Sequence, residues 1–438
     1  MRRTPLAGAL TGLALALSLA ACGGDGGGSP GGDAAAGSEL TGRGPITLAT
    51  GKDRSGNMQK MIDAWNKAHP NEQARVVELP DEPNDQRQQM IQNATTKSDA
   101  YTILNLDVVW TAEFAANRWL VELPKAGPNA VDTSVLLPAT VTTGEYRGKL
   151  YAVPLTSDSG LLYYRSDLLA KAGIKEPPKT WQEMWAACDK VKALPEGKGV
   201  DCYLTEVGKT EGLTVSTAEA INSAGGTIVG ADGKPTVNTP QAKTGVDFLA
   251  RAVKDGRMPK AALTLDGEGG RRHFQAGKLL FHRQWPYQYE LANKKDGSSK
   301  VAGRFHVAPI PGPNGPGAAN LGGHNYAISA FAKNKATALD FIKYMADGAQ
   351  QKANLLATSQ APTVAALYTD PEIVKKYPFM PTLKAAIENA KSRPAAVKYG
   401  DVTAAVQGAV YDTLGGRTPT DQALSDLQGK LGALTTTP

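Results

Sequence analysis

PITLATGKDRSGNMQKMIDAWNKAHPNEQARVVELP, residues 45 to 80, holds one full period of the pattern that decides the fold. PITLATG (45 to 51) and ARVVELP (74 to 80) are short apolar, partly β-branched runs that read as strands. Between them Met58, Met61, Ile62 and Trp65 recur at i, i+3, i+4 and i+7, one face of a helix that Pro70 stops. The period continues: NDQRQQMIQNAT is a second helix, YTILNLDVV (101 to 109) a third strand, and TAEFAANRWL a third helix. Strands alternating with helices predict an α/β fold with a parallel sheet covered on both faces. Ligands of such sheets sit in the loops at the carboxyl ends of the strands. Here those loops carry Lys52 and Asp53, Pro83 to Asp85, and Asp107 to Trp110.

Further along, KLYAVPLTSDSGLLYYRSDLLAKAG (149 to 173) has two strand-like runs separated by TSDSG, a polar kink where the chain leaves one lobe for another. Thr180 and Glu183 form a capping box that opens the helix TWQEMWAACDKVKAL. Helices follow at about 216 to 225, 240 to 255 and 266 to 277. Then comes FHRQWPYQYE (281 to 290), which concentrates four aromatic residues in a chain that is only 6% aromatic. Pro286 has no amide donor, so a central strand does not continue through Trp285 and Tyr287. A Pro/Gly-rich crossing in RFHVAPIPGPNGPGAANLGGHNYAISAFA leads to one more strand, and the rest is mainly helical, closing with a helix from about Thr420.

The 438 residues suffice for two or three domains. The formal charge of +6 falls to +4 once Arg2 and Arg3 are removed with a leader, which gives no basis for a nucleic-acid partner. That leader, residues 1 to 21, is a basic start followed by LAGALTGLALALSLAA, an export signal. Leu19-Ala20-Ala21-Cys22 resembles the bacterial lipobox, which predicts acylation of Cys22; the alternative is ordinary cleavage with Cys22 incidental. Residues 22 to 44 then read as a lipidated cysteine and a flexible Gly-rich tether, fixing the protein to the outer face of the cytoplasmic membrane. The remaining pair, Cys188 and Cys202, reads as a disulfide in an oxidising compartment, or else as two buried thiols.

With lipobox, tether, α/β start and helical end, the chain resembles the extracellular solute-binding proteins (family 1) of bacterial ABC importers. The segments that carry the resemblance are DVVWTAEFAANRWLVEL, GLLYYRSDLLAKAGIKEPPKTWQEM, FQAGKLLFHRQWPYQY, LGGHNYAIS and SRPAAVKYGDV. Together they look like the branch that binds trehalose, maltose and related α-glucosides. The resemblance implies a two-lobed periplasmic-binding-protein fold, with hinge-connected lobes around a central cleft. The first lobe is placed at 45 to 155 and 307 to 345, the second at 156 to 306 and 346 to 438. It further implies a monomer that captures a disaccharide, needs no cofactor, and delivers the sugar to ABC permease subunits.

A pyranose offers hydroxyls at its rim and C–H bonds on its faces, so its site needs planar polar side chains and an aromatic plate. The family's stacking tryptophan falls at Trp285, with core packing as the alternative; Tyr287 fits either role, and Phe281 is read as core. Asp107 and Asp158 fall where the family binds hydroxyls, with helix or turn capping as the alternative. Asp53 is the nearest match to an acidic residue of the first loop. Gly323 belongs to a Gly-Gly stretch placed against the ligand, where His324 stands in place of a common tryptophan. Arg393 resembles a ligand-binding arginine, with a solvated arginine as the alternative, and Arg87 reads as a surface residue, with a contribution to the site from the second helix as the alternative. A glycosidase could cast Asp107 and Asp158 as acid and nucleophile. A surface scaffold would need no cleft at all. Outside the Gly-rich tether GxSxG is absent, HExxH, CxxC and a true P-loop are absent throughout, and the five histidines lack metal-ligand spacing, so neither a catalytic triad nor a metal site is expected.

Overall fold

The computed structural model of the chain describes residues 39 to 435, except Ala231 and Ala395. The leader, Cys22 and most of the tether lie outside the described residues. Among the described residues eleven strands form two main sheets and a hairpin. They are β1 (Ile46–Thr50), β2 (Ala74–Glu78), β3 (Ile103–Asp107), β4 (Glu145–Tyr146), β5 (Lys149–Leu150), β6 (Ala152–Ser159), β7 (Leu161–Tyr164), β8 (Asp201–Leu204), β9 (Leu279–Gln284), β10 (His306–Pro309) and β11 (Leu321–Ile328).

The first sheet has the order β2-β1-β3-β11-β6. β1 lies parallel to β2 and β3, as the strand–helix alternation predicts, but β11 is antiparallel to both β3 and β6, so the sheet is mixed. Alternation along each strand divides its side chains between two cores. Ile46, Leu48 and Ile103 face helices Asn57–Ala68 and Lys335–Ala346, packing with Met61, Ile62, Trp65, Phe341 and Ile342. Ala49, Leu104 and Leu106 face the other way, against Met90, Trp110 and Phe114. The second sheet has the order β10-β7-β9-β8 and shares one large core with the helices of the second half.

The chain crosses between the sheets at three places. β6 passes into β7 through the single residue Gly160. β10 returns to β11 through residues 310 to 320, and the segment after helix Lys335–Ala346 runs back through helix Gly348–Thr358. These crossings support one another: the Ser157 amide donates to the Ala361 carbonyl at 3.1 Å, and the Thr363 hydroxyl donates to the Pro154 carbonyl at 3.0 Å.

Four local expectations change. TSDS (156 to 159) is the last part of β6, paired with β11, because a strand partner gives its backbone groups a ladder that a kink would leave unmade. Residues 307 to 309, expected in the first lobe, belong to β10 and pair with β7 of the second sheet. The end of the tether is tied down: the Thr41 and Gly42 carbonyls accept from the first amides of helix Lys335–Ala346, and Arg43 bridges Glu72 at 2.9 Å and Asp340 at 2.7 Å. Arg87 is buried, its guanidinium held by Glu113 with Nε at 2.6 Å, since helix Tyr399–Leu414 packs over it at Gly400.

The Thr180–Glu183 capping box is present and starts helix Trp181–Lys192. That helix carries Cys188, joined by a disulfide to Cys202 of β8, with Cα atoms 5.6 Å apart and 14 residues of separation. A loop of this length constrains the unfolded chain by about 3 kcal/mol. Replacing both cysteines by serine should therefore lower the unfolding free energy by about that amount, with a larger m-value because the unfolded chain expands, and an equal unfolding free energy would show that the bond contributes nothing.

Candidate functional site

A cavity of about 490 Å³ opens between the two sheets, walled by loops from both. From the first sheet come residues 50 to 55 after β1, Asp81 to Pro83 after β2, Asp107 at the end of β3, Thr156 and Asp158 of β6, and Gly322 to His324 of β11. From the second come Glu206 after β8, Glu211 at the start of helix Glu211–Ser223, Asp266 to Glu268, and Gln284, Trp285 and Tyr287 at the end of β9. Most of these are carboxyl-end loops, the location that parallel strands reserve for ligands. Asp53, Asp107, Asp158, Trp285, Tyr287, Gly323, His324 and Arg393 all line this one cavity.

FHRQWPYQYE divides in two. Phe281 to Gln284 are fully buried in β9, an inner strand of the second sheet. The strand ends before Trp285 and Pro286, and a short helix, Gln288–Ala292, follows. The four aromatic residues therefore share no common face. Phe281 and Tyr289 pack into the core, whereas Trp285 and Tyr287 stand at the cavity. The Arg283 guanidinium lies 3.9 Å from the centre of the Trp285 ring, a cation–π contact behind an indole that lines the cavity. The Tyr287 hydroxyl donates to Glu268 at 2.7 Å.

Gly322 and Gly323 allow the first sheet to meet this wall closely. A methyl on Gly322 would lie 2.7 Å from Cζ3 of Trp285. Gly323 has φ +118°, and a Cβ there would collide with the Thr156 carbonyl. A bulge follows between His324 and Asn325. The His324 amide donates to Thr156 Oγ1 at 3.0 Å, and burial lowers the pKa of the ring, opposed by Asp107 and aided by Arg393.

Arg393 is not a solvated arginine. It is 3% exposed and spans both walls, donating through Nη2 to Asp107 at 2.7 Å and through Nη1 to Glu211. Glu211 also accepts from the Tyr399 and Thr403 hydroxyls. Burial raises the Glu211 pKa, with Arg393 opposing and Asp107 reinforcing. Asp107 does not cap a helix by its side chain, since the helix Thr111–Ala116 has Trp110 at its start with no side-chain cap; Asp107 accepts instead from the Val109 amide at 3.1 Å. Asp53 spends its oxygens on its own loop, accepting from the Ser55 and Met58 amides at 2.8 and 2.9 Å.

Asp158 is the least compensated acid of the wall. Its pKa is raised to about 7 by burial and by the Asp107 charge, against the pull of Arg283. Glu206, on the opposite side, is also raised by burial, with Arg283 opposing at an Nη1 to Oε1 distance of 3.9 Å. At the rim, Arg54 of the first sheet bridges Asp81 at 2.8 Å and reaches Glu268 of the other wall at 3.3 Å. Glu206, Glu211, Arg54, Glu268 and Arg283 are the residues that sequence reasoning missed. Only Arg283 left a local trace, as a charge in LLFHRQ, directly after the apolar run LLF. Among the described residues no group of three or more His, Cys, Asp or Glu side chains is placed to hold a metal ion, and no helix is long and apolar enough to cross a membrane.

Residues 60 to 382 match the family model of the bacterial extracellular solute-binding proteins. A probable ABC transporter-binding protein of Deinococcus radiodurans is 36% identical over 387 residues, covering 86% of this chain and 90% of that protein. The galactooligosaccharide-binding protein of Bacillus subtilis is 26% identical over 376 residues, covering 83% and 81%. Among solved structures, maltose-bound MalE3 of T. maritima is similar with a TM-score of 0.83 and 29% identity, over 88% of this chain and 98% of that one. A two-sheet α/β architecture around one cleft, a family match across most of the length and a relative aligned nearly end to end converge: this chain belongs to the bacterial extracellular solute-binding proteins.

Proposed function

We propose that the protein is the substrate-binding component of an ABC sugar importer and captures an α-glucoside disaccharide such as trehalose or maltose. The observation that carries this reading is the Trp285 ring at the cavity, backed on one face by Arg283 and set among Asp107, Asp158 and Glu206. An aromatic plate beside carboxyl oxygens matches a sugar, whose ring faces are apolar and whose rim is made of hydroxyls. The cavity volume lies in the usual small-molecule range of roughly 300–1,000 Å³. The maltose in the T. maritima structure and the galactooligosaccharide named for the B. subtilis relative support the same ligand class.

In this reading the two sheets with their helices are lobes that hinge at the crossings near residues 160, 310 to 320 and 347 to 364. Sugar favours the closed form because only that form brings both walls onto it. Asp107, Asp158, Trp285, Tyr287, Gly323 and His324 contact the sugar. Asp53 and Arg393 shape the site, one by holding its loop and the other by joining the walls. Cys22 carries the lipid anchor, the protein works as a monomer outside the cytoplasmic membrane, and the permease receives the closed, loaded form. Hydrolysis is disfavoured because Asp107 is tied to Arg393 and to a backbone amide rather than poised on a substrate.

Titration with maltose and trehalose, read by calorimetry and thermal shift, tests the reading. A ligand at about 100 times its Kd should add roughly 2.7 kcal/mol of stability. No gain with any mono- or disaccharide would overturn the sugar assignment, and release of glucose abolished by Asp107→Asn would replace it with a hydrolase. Trp285→Ala should weaken binding by about 0.5–1.5 kcal/mol from the lost aromatic contact, with more from lost burial. Unchanged affinity would remove Trp285 from the site.

The raised Asp158 pKa sets a pH dependence. A carboxyl whose folded pKa lies above its ordinary value contributes stability that is present at low pH and lost as pH rises through about 7. Asp158→Asn should thus raise the melting temperature at pH 8 more than at pH 5, by roughly 1–3 °C. Sugar hydroxyls donating to the carboxylate favour its ionised form, so binding should release protons. Affinity should then rise between pH 5 and 8, by about tenfold for each unit by which the ligand lowers this pKa. Calorimetry in buffers of different ionisation enthalpy reads the proton release directly, and its persistence in Asp158→Asn would point to another group.

A further inference from the structure

The strand that leads into Trp285 also supplies Arg283 to a charge pair with Glu219 of helix Glu211–Ser223, an acid that the binding reading does not use. Arg283 is 1% exposed and Glu219 4% exposed. They form a two-bond fork, Nε to Oε2 at 2.7 Å and Nη2 to Oε1 at 2.5 Å. A fork of this kind fixes the plane of the guanidinium as well as its position. On one side that plane lies against the Trp285 ring.

Two of the three crossings between the sheets meet the same pair. Glu219 Oε1 also accepts from the Asn320 amide at 3.1 Å, and the Asn320 side chain donates to the Val215 carbonyl at 2.7 Å, so the helix bearing Glu219 holds the residue just before β11. At the other crossing, a methyl on Gly160 would collide with the Glu219 carboxylate and come within 2.6 Å of Arg283 Nη2. Gly160 shows no positive φ, so space alone excludes a side chain there. The plate and the two shortest connections between the sheets thus rest on one buried ion pair.

We propose that Arg283 and Glu219 are positioning residues for ligand capture: together they set the Trp285 ring against the cleft and register it to the crossings at Gly160 and Asn320. This rests on the reading of Trp285 as the sugar plate. A buried pair contributes little net stability but makes one arrangement far better than its neighbours, and losing one partner leaves the other charge uncompensated. The Trp285 ring would then lose the support behind it, and ligand contact would suffer without any change in the residues that touch ligand.

The test combines a ligand-free and a ligand-bound measurement. In the ligand-free protein, the emission of Trp285 is isolated by subtracting the spectrum of Trp285→Phe. It should move to longer wavelength in Arg283→Met and in Gly160→Ala, and return toward the parent in Arg283→Lys, which restores the cation. An unmoved spectrum in both variants overturns the proposal. Should Arg283→Met fail to fold, Glu219→Gln, which keeps the shape of the fork, and Gly160→Ala carry the same comparison. With maltose as the probe, Arg283→Met should weaken binding about 5- to 20-fold, and the double variant with Trp285→Ala should be within about twofold of Trp285→Ala alone, because both act through one contact. Full additivity would mean that Arg283 acts elsewhere. If Trp285→Ala itself leaves affinity unchanged, the plate reading fails; if it weakens binding while Arg283→Met does not, only the positioning role fails.

Discussion

Taking a guanidinium out of water costs several kcal/mol unless carboxylates meet it in good geometry, and that requirement organises the centre of this molecule. Arg393 finds Asp107 at the end of β3 and Glu211 at the start of a helix in the other half. Arg283 finds Glu219 in the same helix as Glu211. Helix Glu211–Ser223 therefore presents two acids, eight residues apart, to two arginines that arrive from different parts of the chain. Such pairs are weak evidence for stability and better evidence for one specified arrangement, because any other leaves a charge buried alone. Each wall of the cleft is thus defined by reference to the other.

The same reasoning explains what was legible in the sequence. The start of the first sheet was, because strand and helix periods are local: Ile46 and Leu48 face one way, Ala49 the other, and Met61, Ile62 and Trp65 share a helical face. The antiparallel entry of β11 between β3 and β6 was not, since pairing across hundreds of residues leaves no local period. Pro286 correctly marked the end of a strand, yet the four aromatics of that stretch did not share a face, because the strand stops at Gln284 and the helix at Gln288 restarts the periodicity. Asp53, Asp107, Asp158, Trp285, Tyr287, His324 and Arg393 line the cavity while Arg87 does not, and their roles were harder to read than their places. Arg393 meets Glu211 across 182 residues and Arg283 meets Glu219 across 64, separations at which charge pairing is invisible without an alignment or a fold.

The acids of the cleft divide by what already occupies them, and that division bears on what the cleft accepts. Asp53, Glu82 and Asp266 hold the amides that open helices or loops at its edge. Asp107 and Glu211 hold Arg393, and Glu268 holds Arg271 and Tyr287. What looks from composition like a strongly negative site is therefore mostly internal wiring. Asp158 and Glu206 are left over, both raised by burial, and burial places the titration of Asp158 near neutrality. A carboxyl group in that range donates when protonated and accepts when ionised. A hydroxyl is the partner that matches it in either state, because it too both donates and accepts, whereas a fixed charge on the ligand would suit only one. In the proposed reading, an uncharged polyol lying on the indole suits this arrangement in both of its protonation states.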